Sequence, residues 1–101
     1  MKGIIELKNM YKTLSIKFDS DKNILLVNEK PIKYDASEFL YKLQTIIASW
    51  DKVMINNSVS DGEIYSVKLK LDNKTREYIG KNKFPENYYK FIALINEVAE
   101  W

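Results

Sequence analysis

The sequence predicts an α+β domain: a two-layer sandwich in which an antiparallel sheet of four or five strands carries two helices on one face, in the order β-β-β-α-β-β-α. Three observations lead there. Segments in both halves alternate apolar and polar residues, as in Leu14, Ile16 and Phe18 against Thr13, Ser15 and Lys17, which puts the apolar set on one face of a strand. Two other segments repeat apolar residues at three- and four-residue steps, the mark of a helix with one buried stripe. Short clusters of turn formers join the strands, so consecutive strands are antiparallel neighbours, and two amphipathic helices then need one common apolar surface. The opposite face of such a sheet is left polar and wet.

In chain order, residues 4–7 make a first strand and residues 11–18 a second. Asp19-Ser20-Asp21-Lys22-Asn23 supplies turn chemistry, and residues 24–27 return as the hairpin partner. Asn28-Glu29-Lys30-Pro31 is a further turn, and residues 32–34 form a short extension that Pro31 confines to an edge or a strand start. Asp35 and Glu38 have capping-box spacing, and Tyr34 before the cap is placed to pack on Phe39 as a hydrophobic staple. The stripe of this first helix is Phe39, Leu40, Leu43, Ile46, Ile47 and Trp50. Residues 56–62 are a polar loop, after which residues 64–71 place Tyr65, Val67, Leu69 and Leu71 on one face. A turn at Asp72-Asn73-Lys74 leads to residues 75–80, expected to run back with Ile79 inward and Arg76 and Tyr78 outward. The last helix is expected to open at Pro85, whose missing N–H suits a first turn, and to carry Tyr88, Phe91, Ile92, Leu94, Ile95, Val98, Ala99 and Trp101.

At 101 residues and 11.9 kDa, folding removes roughly 65% of the unfolded chain's surface from water, enough for one core and a single domain over residues 1–101. No stretch approaches ~18 consecutive apolar residues, so a cytoplasmic protein without a membrane partner is expected. The absence of Cys and His removes the thiolate nucleophile, the zinc-thiolate site and the commonest general base and metal ligand. The net charge is +2, and fifteen of the sixteen basic residues are lysines interleaved with fourteen acids, with no run of one sign.

The candidate chemical sites mostly fail on spacing. Asp19-x-Asp21-x-Asn23 imitates the opening of a calcium loop, but Ile24 stands where the turn needs Gly and Lys30 where a bidentate Glu should close the shell. The three glycines are isolated, so no phosphate-cradling loop exists, and nothing in the spacing of Asp61 and Glu63 sets two carboxylates apart as acid and base. No catalytic residue, metal, cofactor or small-molecule substrate is therefore expected.

Two surfaces remain. On the predicted facing, Lys68, Lys70, Arg76 and Tyr78 share the outer side of the second hairpin, joined by Lys17, and cations beside an aromatic can hold single-stranded nucleic acid. Leu94, Val98 and Trp101 lie on the flank of the last helical stripe, as extra core or as a protein interface.

Trp50, then Asp61-Gly62-x-x-Tyr65, then Tyr78-x-Gly80-x-Asn82-x-Phe84-Pro85-x-Asn87-Tyr88-x-x-Phe91, resembles a pattern in small uncharacterised proteins and domains of low-GC bacteria and their mobile elements. The resemblance covers roughly residues 50–98, implies a strand-turn-strand-loop-helix unit, and transfers no catalytic residue. With no catalytic apparatus, many tyrosines and a wide helical stripe, the expected function is a non-enzymatic protein-binding module. It would be a small accessory or inhibitor subunit encoded by a mobile element or phage, acting on a protein partner or by self-association as a homodimer. The alternative is a single-stranded nucleic-acid-binding accessory protein that uses the basic sheet face.

Overall fold

In the computed structural model, which describes residues 1–58 and 62–101, strands lead and helices cover. The strands are β1 (Lys2–Lys8), β2 (Thr13–Asp19), β3 (Ile24–Val27), β4 (Lys30–Pro31), β5 (Val53–Ile55), β6 (Ile64–Leu71) and β7 (Lys74–Lys81). Helix α1 (Ala36–Ile47) comes after β4, and α2 (Tyr88–Asn96) after β7. The strands form one sheet in the order β4-β3-β2-β1-β6-β7-β5. The α+β class is as the sequence predicts, but the sheet is larger and mixed: seven strands, with β5 running parallel to β7.

Both departures have a physical cause. Lys30–Pro31 pairs with β3 over two residues, too short to leave an alternation in the sequence. Val53–Ile55, at three residues, is also too short, and it lies parallel to β7 because β6 separates the two in the chain: β6 runs opposite to β5, and β7 turns back from β6 into the place between them.

The core lies on one sheet face. Ile5, Leu7, Leu14, Ile16, Phe18, Leu25, Tyr65, Val67 and Leu69 are buried there against Phe39, Leu40, Leu43 and Ile47 of α1 and Phe91, Leu94 and Ile95 of α2. The Asp35 half of the expected capping box forms, Oδ1 accepting from Ser37 N at 2.9 Å and Glu38 N at 3.2 Å, while the Glu38 carboxylate lies 3.5 Å from Lys42 Nζ, and the Tyr34 and Phe39 rings meet edge-on at 6.2 Å as the staple expects. A third donor, Ala36 N, goes to Asn23 Oδ1 at 2.9 Å, so the β2–β3 turn helps cap the helix. Helix α2 starts at Tyr88 rather than Pro85, and its N-cap Asn87 makes no side-chain cap bond. Asn87 instead accepts from Trp50 Nε1 at 2.6 Å and donates to the Ile46 carbonyl at 2.8 Å, joining the two helices where α1 ends. At the other end, Lys42 Nζ donates to Tyr34 Oη at 3.0 Å and Glu97 Oε1 at 3.1 Å.

The facing of β7 is the reverse of the sequence expectation. Tyr78 is buried on the helix side and Ile79 is 38% exposed on the outer side. The register decides this: Tyr65 pairs with Gly80, Val67 with Tyr78 and Leu69 with Arg76, so the inward phase of β6 carries Gly80, Tyr78 and Arg76 to the same face. Gly80 is required there because a Cβ would overlap the Tyr65 ring. The hydrophobicity of Ile79 suggests the opposite phase, but only the partner strand's register selects between the two.

Candidate functional site: the outer face of the sheet

Among the residues singled out from the sequence, Lys17, Lys68 and Lys70 do share the outer face. Arg76 and Tyr78 do not: both lie in the inward phase, Arg76 exposed beyond the helices and Tyr78 packed edge-on against Trp50 at 6.4 Å. Of the two readings of Leu94 and Val98, core and interface, their burial fits core: they are 2% and 8% exposed. Trp101 is partly buried on that core, its indole N–H donates to Glu63 Oε1 at 2.7 Å, and Lys12 Nζ lies 5.1 Å from its ring centre. The physical reason is that α2 turns Leu94 toward its own sheet, and the chain after it stays folded back on the helix end, Val98 N donating to Ile95 O at 3.1 Å and Trp101 N to Asn96 Oδ1 at 2.9 Å. The Asp61 of the sequence pattern, and with it the Asp61–Glu63 pairing, lies outside the described residues.

The other residues of that pattern come together as packing. Trp50, Tyr65, Phe84, Tyr88 and Phe91 form one aromatic cluster, with ring centres 5.2 Å apart for Trp50 and Tyr65, 5.1 Å for Trp50 and Phe91, and 4.6 Å for Phe84 and Tyr88. Burial, and secondarily the negative charge of Asp51, raises the Tyr65 phenol above its ordinary value.

On the outer face the registers set residues in rows. One row runs Leu26, Lys17, Ile4, Lys68, Glu77, and the next runs Ile24, Asp19, Lys2, Lys70, Thr75. Between them lies a groove of about 400 Å³ whose floor includes Ile4 and Leu26 and whose rim carries Lys2, Lys17, Lys68 and Lys70. The aromatic residue lining it, Phe18, is 3% exposed and turned inward onto Phe39 at 5.4 Å. Lys17 is paired with Glu29, while among the described residues Lys2, Lys68 and Lys70 have no ion-pair partner. Lys2 stands between Lys70 on one side, a like-charge neighbour, and Asp19 on the other, which also lines the groove.

Lys2, Ile4, Ile24 and Leu26 were not singled out from the sequence. Ile4 carried a usable signal, since it breaks phase with the inward pair Ile5 and Leu7, and an isoleucine in the outward phase of a sheet open to water is unexpected. Lys2, outside any apolar-polar alternation that marks its facing, had none.

No group of three or more acidic, His or Cys side chains that could hold a metal occurs among the described residues, and no helix there is long and apolar enough to cross a membrane. No protein-family model matches the chain, and neither does any curated protein or solved structure.

Proposed function

We propose that this chain is a non-enzymatic protein-binding module, and that its docking surface is the lysine-rimmed groove on the outer sheet face. The occupant is an acidic segment of a partner protein that also carries aliphatic side chains. One observation supports this above the rest: three lysines without ion-pair partners among the described residues surround an aliphatic floor, with Lys2 and Lys70 side by side. Carboxylates of the partner pair with these lysines, and leucine or isoleucine side chains cover Ile4 and Leu26. A role as a small accessory or inhibitor subunit encoded by a mobile element or phage accords with this surface and rests on the sequence resemblance.

Nucleic acid is the weaker occupant. Sequence-tolerant binding of single strands combines cations with exposed rings on which bases stack, and here Tyr78 is buried on the opposite face.

The test is a fluorescence-anisotropy titration at low and moderate salt with two labelled probes, an alternating Glu-Leu peptide and an oligo-dT strand. The peptide should bind, more weakly at higher salt, and Lys68→Glu with Lys70→Glu should reduce its affinity at least tenfold. Absence of peptide binding at low salt, or peptide binding indifferent to the charge reversal, overturns the proposal. Preference for oligo-dT also overturns it, in favour of the nucleic-acid alternative.

A further inference from the structure

The two edges of the sheet differ in kind. The β4 edge is two residues long and consists of Lys30 and Pro31, both exposed, the lysine and proline with which proteins discourage strand addition. The β5 edge is Val53-Met54-Ile55, with Val53 62% and Ile55 47% exposed and no charge inside the strand. Ile79, which pairs with Val53, and Ile64 continue the exposed aliphatic surface inward from that edge.

The hydrogen-bond phase of β5 is known on its inner side. Ile79 N donates to Lys52 O at 2.8 Å and Asn56 N to Lys81 O at 2.9 Å. Backbone groups alternate along a strand, so Met54 also faces β7, and the N–H and C=O of Val53 and Ile55 point away from it, without a hydrogen-bond partner among the described residues.

We infer that β5 pairs antiparallel with β5 of a second copy of this chain about a twofold axis through Met54. In that register Val53 of one copy stands opposite Ile55 of the other, in the hydrogen-bonded type of antiparallel pair. All four outward groups of each strand are then satisfied at once. The same register sets Val53 beside Ile55 on the outer face, a β-branched pair that joins the two aliphatic surfaces. Centring the twofold on Val53 instead would set Ile55 against Asp51. The sequence around Met54 is thus matched to itself, which singles out a second copy over an unrelated strand. The isologous contact closes after two subunits and leaves the lysine-rimmed groove of each copy open.

A strand of this length buries far less than the roughly 800 Å² per partner of a standard interface, so the dimer is concentration-dependent, sparse at about 10 µM and abundant toward about 1 mM. Sedimentation velocity over that range, together with concentration-dependent amide shifts by NMR, tests it. The expected result is a rise from the monomer mass of 11.9 kDa toward twice that value, with shifts concentrated at Val53, Ile55 and Ile79. Ile55→Lys should abolish both effects. Val53→Pro should do the same, since the donor it removes points outward and the bonds from Lys52 O and Asn56 N to β7 are kept. Lys68→Glu with Lys70→Glu should leave both effects unchanged. A monomer throughout, a dimer that survives Ile55→Lys with its fold intact by circular dichroism, or shifts confined to another surface overturns the inference.

Discussion

Trp101 Nε1 donates to Glu63 Oε1 at 2.7 Å, which ties residue 101 to the start of β6. The second carboxylate oxygen of Glu63 accepts from Tyr88 Oη at 2.6 Å, so one acidic side chain holds both the first residue of α2 and the Trp101 indole. Hydrogen bonds to a charged group contribute about 1.5–3 kcal/mol. Trp101→Phe keeps most of the packing and removes the donor. It should lower unfolding stability by about 1–2 kcal/mol in urea denaturation and leave the oligomeric state unchanged. A variant that changes association without changing stability would show that Trp101 belongs to an interface after all.

Tyr88 gives that anchor a pH dependence. Burial first, and then the bond to Glu63, push its phenol above the ordinary value of 10.0. A group whose folded pKa is raised contributes stability that is fully present below its unfolded pKa. That contribution is lost as the pH climbs from there toward the folded value, because the unfolded chain gives up a proton that the folded one keeps. Stability should therefore fall above pH 10, and Tyr88→Phe should make that fall shallower by up to about 1.4 kcal/mol per pH unit. Denaturation midpoints from pH 8 to 11 measure it, and an unchanged slope in the variant would count against the assignment.

Tyr65 Oη is a buried side-chain polar atom without a hydrogen-bond partner among the described residues. A buried hydroxyl in that condition costs its desolvation without return, so Tyr65→Phe should be neutral or raise stability by about 1 kcal/mol. Loss of more than about 1 kcal/mol by thermal or chemical denaturation would mean that the hydroxyl has a stabilising partner.

Gly80 and the Tyr65 ring crowd the same space across the β6–β7 ladder. Gly80→Ala should lower stability by about 1–3 kcal/mol through overpacking, and the penalty should shrink when Tyr65 is first replaced by Ala. Equal penalties in both backgrounds, measured as a double-mutant cycle, would place the strain elsewhere.

Asn87 bridges Trp50 and the Ile46 carbonyl where a helix cap would ordinarily be sought. Asn87→Ala leaves the indole N–H and the carbonyl without their partner, and a cost of about 2–3 kcal/mol is expected from denaturant titration. Asn87→Asp should restore only the first contact, since a carboxylate can accept from Trp50 but cannot donate to Ile46.

Much of this fold was legible in the sequence because the information was local. The alternation of β2 and β6, the stripe of α1, and the Asp35 cap each arise from residues a few positions apart, and all appear where the pattern places them. Short strands were not legible: two or three residues are less than one period of anything, so β4 and β5 emerge only from the strands they pair with. Of the outer-face groove, the lysines of β2 and β6 could be found by alternation. Lys2, Ile24 and Leu26 could not be placed beside them without the order of strands in the sheet.

The residues alone determined the α+β class, the presence of both helices, the turns after β2 and β6, and the exclusion of thiol and imidazole chemistry. Tertiary structure decided the facing of β7. A strand with apolar residues in both phases has two acceptable orientations, and the register that sets Gly80 under the Tyr65 ring allows only one. That choice buried Tyr78, separated it from the lysines, and left on the outer face a charged rim around Ile4 and Leu26. It also turned Ile79 outward, beside Val53 on the open edge.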